Sequence, residues 1–227
     1  MAENFIYLAT IWLIPALIAI TFHEAAHGFV AHLLGDDTAW RLGRVSFNPL
    51  KHIDPVGTIV LPGMLLFLHS PFLFGYAKPV PVNFRALRSP RRDMVLVAAA
   101  GPIMNIGLAV VASLAFHFVR YLPDTVALWL AANLRNAVLF NVVLAVFNLF
   151  PLPPLDGGRI LVGILPVGAG RVLAQLEPFG IAILLAVFIV LPVLGATLGV
   201  NLGGVSRALA IATSAVVRVI VFVTGNG

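Results

Sequence analysis

The residues that could do chemistry in this sequence are two histidines and a glutamate, arranged as His23-Glu24-x-x-His27. On a helix, residues four apart lie on one face, so the two imidazoles can bind one metal ion. Glu24 lies beside them, where its carboxylate can accept a proton from a water molecule that the metal polarises. Zinc makes such a water ionise near neutral pH, which provides a nucleophile. The motif therefore predicts a hydrolytic zinc site.

These residues lie in a long apolar segment of a chain that is itself strongly apolar. Of its 227 residues, 60% are hydrophobic and only 10% are charged, whereas soluble domains carry about 25% charged residues. Ionisable groups inside an apolar span are costly and usually functional, so a purely structural pair of buried histidines is the weaker alternative. The chain contains no Cys, which excludes disulfides and cysteine-based metal sites or nucleophiles.

Continuous apolar stretches of about 20 residues are typical of membrane-spanning helices. One of them, 56–74, contains a Pro-Gly pair and either spans the membrane or re-enters it. It is followed by an extended segment, because Pro79 and Pro81 lack the N–H that a helix interior needs. We expect an all-α polytopic membrane protein with about five or six transmembrane helices and a re-entrant or β-hairpin segment between the first two core helices. The apolar stretches are 5–34, 56–74, 94–119, 126–155, 178–200 and 203–224.

A catalytic zinc site usually has three protein ligands and one open position. Among the carboxylates, Asp54 and Asp156 are the two candidates for the third ligand. Asp54 precedes a proline, which is typical of a turn. Asp156 closes a long apolar run in a stretch, 151–158, that its prolines and glycines must unwind. Unwound backbone at membrane depth is tolerated where it is buried in protein or lines a cavity. Asp156 is therefore preferred, with a turn residue at a helix end as the alternative.

Three motifs resemble, in order and spacing, those of the site-2 protease family. They are His23-Glu24-x-x-His27, Gly101-Pro102-x-x-Asn105, and Asn148-x-x-Pro151 running into Leu155-Asp156-Gly157. Residues 75–83 also resemble an extended element of the compact bacterial and archaeal members, and the resemblance covers about residues 15–165. It implies an intramembrane zinc metalloprotease with one Zn²⁺ per chain. It also implies that His23, His27 and Asp156 bind the metal and that Glu24 activates water.

The resemblance further implies a single integral-membrane peptidase domain, 1–227, with a catalytic core at about 5–165 and C-terminal helices at about 178–224. The chain resembles a minimal-core member without a PDZ module. Its expected partners are transmembrane protein substrates and the lipid bilayer, and its oligomeric state is left open. Nucleic acid is not expected, because the net charge of +5 reports membrane topology instead.

Three asparagines, Asn133, Asn141 and Asn148, recur at spacings of eight and seven and so lie near one helix face. Asn148 lies two turns before Asp156 and is the candidate for stabilising the oxyanion of a tetrahedral intermediate. Hydrogen bonding between helices is an equal alternative for it. Asn105 is expected to bond a neighbouring element rather than to act in catalysis.

The two basic segments, 35–55 and 75–93, hold 8 of the 14 Lys and Arg residues. The positive-inside rule places both on the cytoplasmic side of a cell inner or plasma membrane. That arrangement requires 56–74 to re-enter, the N-terminus to lie outside and the active site to face the cytoplasmic side.

Two other functions are compatible with an intramembrane metal site. A transporter could use histidine and aspartate as an ion path, but inverted repeats would be expected and none is found in the sequence. A non-catalytic membrane scaffold is the second alternative, and it has no need of Glu24 between the two histidines.

Overall fold

The structure is a computed structural model that describes residues 2–60, 64 and 78–227. Its secondary structure is helical, and no β-strand occurs among the described residues. The α-helices of this part are α1 (Ala2–Leu33), α2 (Thr38–Arg41), α3 (Pro90–Ala115), α4 (Asp124–Asn148), α5 (Asp156–Ile164), α6 (Val167–Ala174), α7 (Gly180–Leu185), α8 (Leu191–Leu198) and α9 (Gly204–Val223). Short 3₁₀ or π turns at Pro49–His52, Pro55–Val60, Phe116–Tyr121, Glu177–Phe179 and Ala186–Val190 connect or extend them.

Five helical segments among the described residues are long and apolar enough to cross a membrane. This confirms the all-α polytopic membrane fold. The α4 helix ends at Asn148, seven residues before the predicted end of its apolar stretch, because prolines follow it. Most of 56–74 lies outside the described residues. The five segments are Ile6–Leu33, Pro90–Tyr121, Asp124–Asn148, Val167–Leu198 and Gly204–Val223.

Helices α1, α3 and α4 form a three-helix core in which α3 runs antiparallel to both α1 and α4. The α1 and α3 helices are joined by Asn105, whose side chain donates to the carbonyl of Ala19 at 3.1 Å. The α4 helix is joined to the first half of α1, where Asn136 donates to the carbonyl of Ile11 at 2.7 Å. Small buried residues such as Ala109 allow these backbones to approach closely. Polar contacts between helices thus set the register of the core.

The end of α1 and the start of α3 lie at the same level. The N–H of Arg88 donates to the carbonyl of Leu34 at 3.0 Å, and Leu87 packs against Ala31. Re-entry of 56–74 requires such a placement of the two ends. Residues 61–63 and 65–77 lie outside the described part, so the path between the ends stays a prediction.

His32, near the end of α1, faces away from the other two histidines of this helix. Its ring stacks on Trp40 with centroids 4.3 Å apart, and its Nδ1 lies 2.7 Å from Oδ1 of Asp37. This hydrogen bond holds the pKa of the Asp37 carboxyl below its ordinary value. The group lies where the first span ends, which is typical of an interfacial histidine.

The last helix, α9, packs on α3 and α4 at the end of the bundle where α3 terminates. Ile220 is buried against Ala109, Ala112, Val138 and Val142. Farther along, the hydroxyls of Ser113 and Thr224 lie 2.6 Å apart.

Candidate metal centre

The candidate metal-binding residues come from two helices that the chain brings together through an unwound segment. His23 and His27 lie one turn apart on α1, and Asp156 is the first residue of α5. Between Asn148 and Asp156 the chain leaves the helical path. The following glycine allows α5 to lie on this segment, since a Cβ at Gly157 would lie 2.2 Å from the carbonyl oxygen of Leu149. A glycine is therefore needed where the chain turns back.

The structure brings His23, His27 and Asp156 together. Oδ2 of Asp156 lies 3.2 Å from Nε2 of His23 and 3.4 Å from Nε2 of His27. The two Nε2 atoms lie 3.0 Å apart. These are the spacings of three atoms that surround a common point.

The other ring nitrogens decide which atoms carry protons. Nδ1 of His23 bonds to Oδ1 of Asn105 at 2.5 Å, and Nδ1 of His27 bonds to the carbonyl of Val97 at 2.7 Å. Both partners are acceptors, so in the neutral rings Nδ1 carries the hydrogen and Nε2 offers a lone pair. Oδ2 of Asp156 is buried and has no hydrogen-bond partner among the described residues. Three lone pairs thus converge, which a cation would satisfy. Two imidazoles and a carboxylate are a donor set that suits zinc.

Gly101 on α3 leaves room at this point. A Cβ there would lie 2.5 Å from Nε2 of His27 and 2.6 Å from Nε2 of His23. The nearest helix therefore presents backbone alone to the point where the three ligand atoms meet. The close helix packing that this glycine allows thus lies at the candidate metal centre.

Asn105 is fully buried, and its amide orientation follows from its other contacts. Its Nδ2 donates to Oδ1 of Asn141 at 2.7 Å as well as to Ala19 on α1. Asn141 in turn donates to the carbonyl of Ala137 at 2.9 Å. With both N–H groups used in this way, Oδ1 faces His23. Asn105 therefore bonds a neighbouring element, as expected, and that element is the ring of a candidate ligand.

Glu24 lies beside the histidines and is held by residues 78–83, which belong to no helix or strand. The N–H of Val80 donates to its Oε2 at 2.7 Å. The segment is fastened beyond that point by the N–H of Asn83, which donates to the buried Asp36 at 2.6 Å. It is fastened before that point by Arg44, which donates to the carbonyl of Lys78 at 2.8 Å. One carboxylate oxygen of Glu24 is thus fixed, which orients the other.

A cavity of about 270 Å³ opens onto these groups. Asn148 lines it, and one of its N–H groups donates to the carbonyl of Leu144 at 2.9 Å. The structure thus brings Asn148 to the same cavity as Glu24 and the three candidate ligands. Asn133 remains on its own helix, where it donates to the carbonyl of Trp129.

Asp54 is not part of this group. Its Oδ1 accepts hydrogen bonds from the N–H groups of Val56 and Gly57, at 3.0 and 2.7 Å. The turn role expected for an aspartate before a proline accounts for these contacts.

Arg159 is a residue of the cavity that the sequence reasoning missed. It lies three residues after Asp156, lines the same cavity and pairs with Glu177 at 3.1 Å. Its guanidinium lies 5.3 Å from the ring centroid of Phe84. A helical spacing of three from a candidate ligand was the available signal, because such residues share a face.

Comparison with known proteins agrees with this geometry. Residues 124–193 match the model of "Peptidase family M50". Over 184 residues the chain is 37% identical to "Putative zinc metalloprotease YwhC" of Bacillus subtilis (strain 168), with 78% of each chain covered. Over 207 residues it is 30% identical to "Putative zinc metalloprotease Rip2" of Mycobacterium tuberculosis (strain ATCC 25618 / H37Rv), with 89% of this chain and 77% of Rip2 covered. No solved structure matches the chain significantly. The resemblance seen in the sequence is thus confirmed, and the chain belongs to peptidase family M50, the site-2 proteases.

Proposed function

We propose that this chain is an intramembrane zinc endopeptidase that hydrolyses peptide bonds of transmembrane protein substrates. The observation that carries the proposal is the convergence of three lone-pair donors, from His23, His27 and Asp156, beside the carboxylate of Glu24. Family membership and relatives named zinc metalloproteases support zinc as the cofactor. We take the whole chain, 1–227, to be one integral-membrane peptidase domain.

Nε2 of His23, Nε2 of His27 and Oδ2 of Asp156 hold the metal in this proposal. Zinc, when bound, supplies a Lewis acid and a water molecule that ionises near neutral pH. Asn105 and the carbonyl of Val97 hold the two rings by their Nδ1 hydrogens. Such contacts behind a ligand orient the ring and keep the metal-facing nitrogen unprotonated.

Glu24 carries the proton. Because Val80 occupies Oε2, Oε1 is the atom that takes a proton from the attacking water. The same carboxyl then gives that proton to the leaving amine, so the residue acts first as base and then as acid. Both transfers occur at the wall of the 270 Å³ cavity that Glu24 lines.

Asn148 stabilises the negative charge that develops on the substrate carbonyl. Its amide has two N–H groups, of which one bonds to Leu144 within the helix. The second is available to the cavity, and a preformed donor of this kind stabilises an oxyanion without reorganisation. Its contact within α4 keeps the side chain in place before the substrate arrives.

The extended segment 78–83 provides an edge along which an unwound substrate can lie. Within the described part of the chain, the N–H of Val82 has no hydrogen-bond partner, and Val82 lines the catalytic cavity. A substrate strand could pair there by main-chain hydrogen bonds. Pairing would hold the substrate unwound, and its carbonyl would no longer be shielded by helical hydrogen bonds.

A proline at Val82 tests this pairing. It removes the N–H, so Val82→Pro should reduce turnover of a transmembrane substrate about tenfold while zinc content stays stoichiometric. Val82→Ala keeps the N–H and is the matched control, with turnover close to that of the native protein. Equal turnover in the two variants would exclude pairing at this position.

The active site faces the cytoplasmic side in this proposal. The basic segments flanking the re-entrant region support that orientation, since Lys and Arg are enriched in cytoplasmic loops. Labelling of single cysteines introduced at Lys51 and Tyr121 in sealed cells would test it, because the native chain has no Cys to interfere. We expect position 121 to react with an impermeant reagent from outside and position 51 to be protected.

The experiment that tests the proposed function compares three carboxylate variants. Glu24→Gln should keep stoichiometric zinc and lose cleavage of a model transmembrane substrate in detergent. Asp156→Ala should lose both zinc and cleavage. Asp54→Asn is the matched control and should retain both, because its remaining oxygen can still accept the turn hydrogen bonds. If the native protein binds stoichiometric zinc but cleaves the substrate no faster than Asp156→Ala, so that Glu24→Gln changes nothing measurable, the site is not hydrolytic and the transporter or scaffold functions replace it.

A further inference from the structure

A second cavity, of about 440 Å³, lies between α3, α4 and α9. It is bordered by Ser113 on α3, which lies eight residues beyond Asn105, or about 12 Å farther along the helix. This cavity is therefore separate from the catalytic one and lies toward the opposite end of the bundle. Its wall is formed largely by valine and leucine side chains and carries one cation, Arg135.

Arg135 has no counter-charge within the described part of the chain. The ion pairs found there involve other residues, and no hydrogen bond of its guanidinium is present. A charged side chain in a membrane-spanning helix is costly unless it is paired or reaches water. Its five N–H donors form a planar fork that matches the oxygens of a phosphate group. The missing partner is therefore expected to be an anion from outside the chain.

The polar groups at the rim of the cavity are already occupied by one another. The hydroxyl of Ser113 contacts that of Thr224 at 2.6 Å, and Asn226 donates to the carbonyl of Ser113 at 2.7 Å. The ring of His117 contacts the carbonyl of Thr224 at 2.6 Å. These contacts shape the rim and leave Arg135 as the group that can bind an anion.

The cavity opens to the outside of the bundle at Arg135, whose side chain is exposed. Arg135 lies eleven residues after the start of α4 at Asp124, or about 16 Å along the helix, and Asn226 follows the end of α9 at Val223. Trp129 lies six residues before Arg135 on the same helix, and tryptophan is enriched at the membrane–water interface. From this position a long arginine side chain can snorkel along the apolar wall toward the interface, where lipid phosphates lie.

The apolar part of the cavity continues onto the outer surface of the bundle. Leu139, which lines the cavity, is 41% exposed, and Phe222 on α9 is 81% exposed. These surfaces face hydrocarbon in a membrane. A ligand with an anionic head and an acyl chain would satisfy Arg135 and cover Val217 and Val221 at once.

We propose that this cavity binds an anionic phospholipid, with its phosphate on Arg135 and an acyl chain along the valine and leucine wall. The bilayer surrounds the open side of the cavity and supplies this ligand, whereas a soluble anion would leave the apolar wall uncovered. The α4 helix also carries Asn141 and Asn148 of the metal centre, so the bound lipid would contact the helix that supports the catalytic cavity.

Native mass spectrometry of the full-length protein released from nanodiscs tests the proposal. With phosphatidylglycerol in the nanodisc we expect one retained lipid, and Arg135→Gln should lower its apparent affinity about tenfold, as expected for loss of a charged hydrogen bond. Arg120→Gln is the matched control, because Arg120 belongs to the same end of the bundle but bonds to the hydroxyl of Tyr121. This control should retain the lipid.

A second variant tests the apolar wall without changing charge. Leu139→Trp fills part of the cavity at a partly exposed position, and it should also release phosphatidylglycerol while zinc content stays native. Nanodiscs of phosphatidylcholine should give less retained lipid than nanodiscs of phosphatidylglycerol. Retention that is equal in native protein and Arg135→Gln would overturn the site. Displacement of the lipid by millimolar inorganic phosphate, or by a peptide carboxylate, would show that the cavity takes another anion instead.

Discussion

The three-helix core of α1, α3 and α4 and the C-terminal helices of this protein are packed in different ways. In an apolar stretch of 18 residues within each core span, 28% of the residues are buried inside the bundle for α1 and 33% for α3 and for α4. The corresponding share is 6% for the span Val167–Leu198 and 11% for α9. The core is joined by buried polar contacts such as Asn105 with Asn141. The α9 helix is joined mainly by an apolar cluster around Ile220.

This difference in packing follows from the lipid environment of the helices. Lipid tails are as apolar as leucine, so burial of apolar side chains provides little driving force between membrane helices. Small residues that allow close approach and polar groups that bond across helices provide the specificity. The core uses both at the candidate metal centre, through Gly101 and Asn105. The C-terminal helices expose most of their surface to hydrocarbon, and they are therefore expected to tolerate substitution better.

The largest expected effect comes from one methyl group added at Gly101. Its Cβ would lie 2.5 Å from Nε2 of His27, inside the metal centre. We expect Gly101→Ala to lose stoichiometric zinc and to reduce cleavage about 100-fold or more, since a misplacement of about 1 Å has that effect in an active site. Metal analysis of the purified protein and cleavage of a transmembrane substrate measure both.

Gly107 on the same helix provides the matched control. A Cβ at Gly107 would meet nothing within 4 Å. Gly107→Ala should therefore bind zinc and cleave like the native protein, and it should be slightly more stable because alanine favours helices. If both variants behave alike, the close approach at the candidate metal centre is not the reason why the core tolerates substitution poorly.

The next effect concerns the contact behind His23. Asn105→Ala removes the acceptor for Nδ1 of His23 and frees the other ring tautomer. Loss of such a contact typically lowers metal affinity or activity about 10- to 100-fold. We expect the zinc dissociation constant, measured in competition with a chelator, to be larger than that of the native protein. Asn105→Asp should restore part of the affinity, because a carboxylate can accept the same hydrogen bond.

Asn133 distinguishes this role from general packing. It is a buried asparagine of α4 that donates to its own helix at Trp129, and its Oδ1 has no partner in the described part of the chain. Asn133→Ala should leave the zinc dissociation constant unchanged. A loss of zinc affinity as large as that of Asn105→Ala would mean that any buried asparagine supports the centre indirectly.

The fold class and the principal motif could be predicted from sequence because each depends on local spacing. His23 and His27 share a face because of the helix repeat alone. The length of the apolar stretches directly indicates a membrane environment. The end of α4 was placed seven residues too late by apolarity, whereas Pro151 was the better signal. The path of 56–74 lies largely outside the described residues and remains a prediction.

Contacts that depend on the register between helices could not be predicted in this way. The bond from His23 to Asn105 joins residues 82 positions apart, and the bond from Val80 to Glu24 joins residues 56 positions apart. The first depends on how closely α1 and α3 approach at Gly101, and the second on how closely 78–83 approaches α1, where a Cβ at Gly28 would lie 2.9 Å from the Val80 side chain. Sequence periodicity places a residue on a face but does not say which residue lies opposite.

The smallest expected effect tests the C-terminal side of the comparison. The hydroxyl of Thr224 contacts Ser113 at 2.6 Å and donates to the carbonyl of Ile220 at 2.8 Å. Hydrogen bonds between membrane helices contribute about 0.6 kcal/mol on average. A double-mutant cycle with Thr224→Val and Ser113→Ala should therefore give a coupling of that order in reversible unfolding, while zinc content and cleavage stay native. If Thr224→Val alone reduces zinc content, the contact is transmitted to the metal centre, and the core does not hold the metal independently of α9.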